Sequence, residues 1–304
     1  MHKDLIFDKL TADFKGSIVL RDELMKNHTT FKIGGPADIY IEPQIDDVPR
    51  LIRLLKHENI PYMVIGNGSN ILVSDDGIEG VVVSLGKDAG DISIEGNIVK
   101  AQAGAILSSV ASKAAEAGLS GLEFASGIPG SIGGAIYMNA GAYGGEMKDI
   151  LSKATILMAD GQIKVFSPEE LDLSYRHSAL MNNGGIVLSV EIVLQPGDSS
   201  DIKARIADIR NQRIEKQPLN YPSAGSTFKR PEGYFAGKLI DDVGLRGYRV
   251  GGAQVSEKHC GFVVNIENAT CADVIRLMTD VDRKVYSEVG VHLEPEVRIV
   301  GRNL

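Results

Sequence analysis

The sequence predicts an α+β chain, and three observations carry that prediction. Gly96-Asn97 and Asp160-Gly161 each sit between strand-like stretches, the arrangement of a β-hairpin around a tight turn. Strand-like runs outnumber long helical ones before residue 198, and the two kinds mix after it. There is no regular alternation of strand and helix of the kind a parallel βαβ sheet requires.

The elements follow in order. Residues 1–30 read as a polar lead-in helix or arm. Ile45–Glu58 places Ile45, Val48, Leu51, Ile52, Leu54 and Leu55 near helical spacing, with acids early and bases late, as the helix dipole favours. Pro61–Ile65 and Gly80–Leu85 are short apolar runs expected to be buried strands. Ile92–Glu95 and Ile98–Gln102 form the first hairpin. Ile106–Ala117 is a helix stopped by Gly118. Lys153–Ala159 and Gln162–Phe166 form the second hairpin. Gly185–Leu194 is a long strand, and Gln195-Pro196-Gly197-Asp198 is the clearest break in the chain. A helix over Asp201–Lys216 follows, then helices near 234–242 and 270–288 and strands near 261–266 and 296–300.

The chain has 304 residues, 43% hydrophobic and 24% charged, with a mean hydropathy of −0.01. That is ordinary globular composition, and at roughly 150 residues per domain it suggests about two domains. The 34 glycines show no period of three, which excludes a collagen-like chain. The net charge of −8 argues against nucleic acid or an anionic membrane as partner. Cys260 and Cys271 lie outside CxxC spacing and read as reduced thiols, so no metal site is expected. Met1-His2-Lys3-Asp4-Leu5 lacks the basic-then-apolar run of a secretory signal. The longest apolar stretch, around Gly185–Leu194, is too short to span a bilayer. The expectation is a cytoplasmic protein.

Six segments could carry chemistry. Gly66-Asn67-Gly68-Ser69-Asn70 follows a strand. Its glycines allow close backbone approach to a ligand, and consecutive N–H groups can cradle an anion. It is no Rossmann fingerprint, because Ile71 stands where a small residue is needed, and by itself it reads more readily as a plain turn. Residues 127–145 hold seven glycines in nineteen positions, a costly density in backbone entropy that suits a backbone wrapped against a pyrophosphate or a flat ring. Ile128, Ile132, Ile136, Tyr137 and Met138 make this an unusual flexible linker. Leu173–Ser178 contains a Tyr-Arg pair, which alone is commonplace. Asn220–Pro231 couples Ser226 to Lys229 and Arg230 without forming a GxSxG elbow, so an anionic substrate fits better than a serine nucleophile. Gly251–Gly261 carries Ser256, Lys258 and His259. Leu293–Arg298 carries two glutamates on one strand face, although Pro295 argues against a regular ladder there. Glycosidase chemistry needs its carboxylates on opposite sides of a bond.

Read together, TTFKIGGPAD (29–38), GNGSN (66–70), SGIPGSIGGAIYMNAGAYG (126–144), SYRHS (174–178), AGSTFKRP (224–231), AGKLID (236–241) and LEPEVR (293–298) closely resemble the UDP-N-acetylenolpyruvoylglucosamine reductases. The resemblance runs from about residue 28 to 301. It implies a two-lobed FAD cradle of the vanillyl-alcohol-oxidase (PCMH) type, with lobes over 1–75 and 76–198, and a C-terminal α+β substrate domain over 199–304. It implies non-covalent FAD, NADPH as co-substrate, and reduction of UDP-N-acetylglucosamine enolpyruvate to UDP-N-acetylmuramate in bacterial peptidoglycan synthesis, by a monomer or weak oligomer.

By the same resemblance the catalytic residues are Arg176, Ser226 and Glu296. The cofactor-binding set is Gly66, Asn67, Gly68, Ser69, Asn70, Gly127, Ile128, Pro129, Gly130, Ser131, Gly133, Gly134, Asn139, Ala140 and Arg298. Substrate contacts are Tyr175, Lys216, Arg230, Lys238 and His259. Arg230 stands where longer relatives carry Asn, and there is no room for their inserted tyrosine loop, which places the chain in the shorter subgroup. Two other classes compete. A sugar or alcohol oxidase on the same cradle would often tether its flavin through His or Cys, and neither glycine-rich segment contains one. In a non-catalytic nucleotide-binding module, Arg176, Ser226 and Glu296 would be incidental.

Overall fold

The computed structural model describes residues 3–304. Met1 and His2, the first residues of the segment searched for a secretory signal, lie outside them. The chain packs into two compact units, each gathered from separate stretches. The first takes the residues up to Arg21, Ile39–Asn67 and Gly80–Gln212; the second takes Asp22–Asp38, Gly68–Glu79 and Arg213–Leu304.

In the first unit, α1 (Lys3–Asp13) buries Ile6 and Leu10. Helix α2 (Val48–His57) buries Val48, Leu51, Ile52 and Leu55, the i, i+3, i+4, i+7 stripe of an amphipathic helix. A five-stranded antiparallel sheet has the order Ile163–Phe166, Leu151–Leu157, Ile186–Val193, Ile98–Gln102, Ile92–Glu95, so both predicted hairpins are present. The first closes with Glu95 opposite Ile98, as a two-residue turn requires. The second does not: Met158 N–H donates to Gln162 O at 2.8 Å, leaving a three-residue loop with Gly161 at φ +85°. Helix α3 (Leu107–Glu116) buries Leu107, Val110, Ala111 and Ala114 and gives way to Gly118 at φ +70°, the left-handed stop typical of glycine.

Three differences from the sequence reading stand out in this part of the chain. The lead-in contains a strand, Ile18–Leu24, in which five of seven residues are exposed and none is buried, so no apolar alternation announced it. The glycine-rich segment is partly helical: α4 (Ile132–Tyr137) runs through Gly133-Gly134 against their poor helix propensity. The Gln195-Pro196 break is paired with Leu119-Ser120. Helix α5 (Leu180–Asn183) and α6 (Ser199–Lys216) complete the helices that start in this unit. Its core draws on Leu10, Phe14, Ile41, Leu51, Val110 and Ile136.

In the second unit, an antiparallel sheet has the order Ser223–Ser226, Phe262–Asn265, Ala253–Val255, Arg249–Val250. Two helices accompany it, α7 (Ala236–Asp242) and α8 (Cys271–Val289). Arg298–Val300 pairs in parallel with Ile71–Val73. Thr270 and Asp273 form a capping box at the start of α8. The Asp75 carboxylate accepts two more of its N–H groups, from Cys271 at 2.8 Å and Ala272 at 3.1 Å. Phe31, Ile33 and Leu72, from the two early segments, share one core with Val263, Val274, Leu277 and Val281. Among the described residues no helix is long and apolar enough to cross a membrane.

Candidate active site

In the first unit, the strand Tyr62–Ile65 delivers Gly66 against Ser131. A Cβ on Gly66 would stand 2.1 Å from the Ser131 Oγ, so this approach requires glycine. The Asn67 side-chain amide donates to Pro129 O, and the buried Ser131 hydroxyl caps α4 by accepting from Gly134 N–H at 3.5 Å. Among the described residues, none supplies an acceptor for the backbone N–H groups of Asn67, Gly130 and Ser131. A loop with unspent N–H donors has the donor chemistry of a diphosphate site, so these residues fit the pyrophosphate of a flavin dinucleotide. Gly127, Ile128, Pro129, Gly133 and Gly134 belong to the same stretch.

The glycine density of 127–145 has a second cause that the sequence reading missed. A Cβ on Gly145 would lie 2.6 Å from the Phe124 ring, and one on Gly141 would lie 2.7 Å from Glu146 Cγ. Those two glycines answer to protein packing. The hairpin they form, Gly141-Ala142 paired with Gly145-Glu146, adjoins the Tyr-Arg segment.

Tyr175 and Arg176 occupy the apex of a tight turn. Ser174 and His177 exchange both backbone hydrogen bonds, at 3.1 and 3.2 Å. Arg176 has φ +53°, an uncommon conformation for a non-glycine residue. Its guanidinium lies 5.1 Å from the Tyr175 ring centroid and 3.5 Å from Gly141 O. Asn139, buried, donates from Nδ2 to Ser174 O at 3.0 Å and to Glu146 Oε2 at 2.8 Å. Ala140 donates its N–H to Ala135 O at 2.8 Å, closing the end of α4.

In the second unit, Ser226 and Glu296 lie on adjoining segments. Ser226 is opposite Phe262, after Gly225 at φ +78°. The next residue, Thr227, accepts Glu296 N–H at 2.8 Å, and Lys229 N–H donates to Glu294 O at 2.8 Å. Pairing therefore continues past Pro295, which bridges to Phe228. The Lys229 ammonium lies 3.1 Å from the exposed Glu294 carboxylate. Asn70 is drawn to the same place: its Nδ2 donates to Glu296 O at 3.2 Å, and its own carbonyl accepts Arg298 N–H at 3.0 Å. Gly68 accepts Thr30 N–H at 3.2 Å, and Ser69 lies between it and Asn70.

The expected substrate contacts are spread out. The Arg230 guanidinium stacks 3.9 Å over the Phe235 ring. Lys238 is ion-paired with Asp242 at 2.7 Å, and Lys216 ends α6. His259 is half-buried and accepts Gly261 N–H on Nδ1 at 3.1 Å. Burial pushes its pKa below the usual value. Burial likewise raises the Cys260 thiol to about 11 and the Cys271 thiol to about 12, which leaves both poor nucleophiles. Among the described residues no group of three His, Cys, Asp or Glu side chains could hold a metal. Sequence reasoning overlooked Thr227 and Asp75, whose roles are visible only through backbone pairing and helix capping.

Comparison with known proteins decides the family. The model of an FAD binding domain matches residues 37–167, and that of the UDP-N-acetylenolpyruvoylglucosamine reductase C-terminal domain matches 217–300. The UDP-N-acetylenolpyruvoylglucosamine reductase of Agathobacter rectalis is 58% identical over 295 residues, covering 93% of this chain and 94% of that protein. The chain belongs to the UDP-N-acetylenolpyruvoylglucosamine reductase family. The reductase of the same name from Alkaliphilus oremlandii is 51% identical and covers 99% of both chains. The crystal structure of the Thermus caldophilus reductase superposes with a TM-score of 0.80 at 38% identity, covering 93% of this chain and 99% of that one. The α+β fold class read from the sequence holds, with an FAD-binding part followed by a reductase C-terminal part. As a member of the reductase family, the chain is an FAD-dependent oxidoreductase.

Proposed function

We propose that Arg176, Ser226 and Glu296 carry the substrate half of an NADPH-dependent reduction of UDP-N-acetylglucosamine enolpyruvate to UDP-N-acetylmuramate. That reaction, a step of peptidoglycan biosynthesis, is the one the family performs. When bound, FAD supplies the hydride relay from NADPH to the enolpyruvyl methylene carbon. The protein must then stabilise the charge left on the carboxylate-bearing carbon and protonate it.

Arg176 is planar and permanently charged, and can hold the substrate carboxylate or its enolate form through two parallel hydrogen bonds. The Ser226 hydroxyl delivers the proton to carbon. A serine is a weak acid for that task, and the strongly basic carbon acceptor makes it sufficient. Glu296 assists the enolate, by donating a hydrogen bond or by orienting a water. The observation that supports this reading is the Glu296 N–H to Thr227 O bond at 2.8 Å, which pairs the Glu296 main chain with the residue next to Ser226.

Gly66–Asn70, Gly127–Ser131, Gly133, Gly134, Ala140, Arg298 and the main chain of Asn139 are the proposed cofactor set. Tyr175, Lys216, Arg230, Lys238 and His259 are the proposed substrate set. The division into two FAD lobes over 1–75 and 76–198 and a substrate domain over 199–304 is part of the same proposal. So are the cytoplasmic location, a monomeric or weakly oligomeric state, and the absence of nucleic-acid and membrane partners.

The test is anaerobic. The purified protein should show flavin absorbance that NADPH bleaches and the enolpyruvyl sugar nucleotide restores. In Ser226→Ala the first step should keep its rate and the second should slow. Equal slowing of both half-reactions would remove Ser226 from its role. Recovery of colour only with oxygen would replace the reductase reading with an oxidase.

A further inference from the structure

We infer that Asn139 is a positioning residue that holds the Tyr175-Arg176 turn in its working shape and contacts no ligand through its side chain. The inference rests on the proposed role of Arg176.

A side-chain amide has two N–H donors and one carbonyl oxygen. In Asn139 both donors are used, one on Ser174 O at 3.0 Å and one on Glu146 Oε2 at 2.8 Å. The oxygen accepts Lys148 N–H at 3.0 Å. The residue is 1% exposed, so no donor remains for a cofactor. Its backbone has φ +42°, a left-handed conformation that Asn tolerates better than most residues. This turns the chain at the end of α4 and aims the amide at Ser174. Ser174 is the residue that exchanges backbone hydrogen bonds with His177 across the Tyr175-Arg176 apex.

A second tether acts from the other side. The fully buried Ser178 hydroxyl donates to Tyr137 O at 2.7 Å. The turn is thus fastened at both of its ends, through Tyr137 at the end of α4 and Asn139 just after it, while Ser131 caps the start of the same helix. Arg176 gains from this arrangement because its own φ of +53° is unfavourable. A free loop would relax it, and the guanidinium would lose the fixed orientation that bidentate recognition requires.

The variant to make is Asn139→Gly, since glycine accepts the positive φ while losing the amide. Ser178→Ala removes the second tether and leaves the sequence of α4 unchanged. Three readouts are needed: amide hydrogen exchange at Ser174 and His177 in the substrate-free protein, FAD affinity, and the two flavin half-reactions followed separately. We expect faster exchange at both amides, FAD affinity and NADPH reduction within about twofold of wild type, and reoxidation by the sugar nucleotide slowed roughly 10- to 100-fold. In a double-mutant cycle, Asn139→Gly should add almost nothing to Arg176→Ala.

Unchanged exchange or unchanged reoxidation in both variants would overturn the inference, as would independent, multiplicative effects in the cycle. A selective loss of FAD affinity would give the Asn139 side chain a place in the cofactor site and overturn the inference. If Arg176→Ala alone leaves reoxidation intact, the role proposed for Arg176 fails, and the exchange data still decide whether Asn139 holds the turn.

Discussion

Glu296 donates its backbone N–H to Thr227 O at 2.8 Å, so its main chain is held opposite the residue that follows Ser226, and that pairing survives changes of side chain. Glu296→Gln should therefore fold with a stability within about 0.5 kcal/mol of wild type, as substitutions that leave backbone pairing intact usually do. Flavin reduction by NADPH should keep its rate, and reoxidation by the sugar nucleotide should slow by roughly 10²-fold or more. Stopped-flow absorbance separates the two. Reoxidation at the wild-type rate would exclude Glu296 from the chemistry.

Arg176→Lys keeps the charge and the backbone but loses the planar fork. Removing one donor from a developing oxyanion typically costs about 3–4 kcal/mol. The substrate half-reaction should fall by roughly 10²- to 10³-fold, with reduction by NADPH unchanged. A loss below about fivefold in single-turnover reoxidation would mean that charge alone suffices.

Much of this was legible in the sequence. Val48, Leu51, Ile52 and Leu55 announce α2 by spacing, and Gly96-Asn97 announces a hairpin that forms as expected. The strand Ile18–Leu24 was not legible, because exposed side chains on both faces leave no alternation to read. Helix α4 was hidden by Gly133-Gly134, where tertiary packing overrides propensity. The proposed site residues stand in recognisable motifs, while the residues that support them do not. Thr227 acts through its carbonyl and Asp75 through a helix end 196 residues away in sequence, and neither leaves a local pattern. The glycines of 127–145 show the reverse error, since one signal had two causes and Gly141 and Gly145 answer to packing.

The Asp75 carboxylate caps α8 through Cys271 and Ala272. Asp75→Ala removes both acceptors and a negative charge from a helix N-terminus. The loss should be about 1–2 kcal/mol, seen as a fall of a few degrees in melting temperature by calorimetry. A melting temperature unchanged within one degree would show that solvent and the Thr270–Asp273 box satisfy the helix end unaided.

His259 titrates below its usual value because burial disfavours the imidazolium. The unfolded chain, with a pKa near 6.5 at this residue, takes up the proton first as pH falls. This group therefore withdraws stability below about pH 6.5 and is neutral in effect above it. His259→Gln should flatten the decline in melting temperature between pH 7 and pH 5.5. An identical slope in wild type and variant would place the titrating group elsewhere.

The second unit is sewn from three stretches of chain, 22–38, 68–79 and 213–304, and that has a consequence for synthesis. At roughly 5–20 residues per second, the interval between translating residue 79 and reaching residue 213 is on the order of ten seconds. Throughout it, Phe31, Ile33 and Leu72 have been made but the remainder of their shared core has not. During that wait these apolar side chains are open to any binder of unfolded polypeptide near the ribosome. The first unit has no such delay once residue 212 is made, so the nascent chain should pass through a half-built state. Its vulnerability to misassembly is set by the pace of elongation.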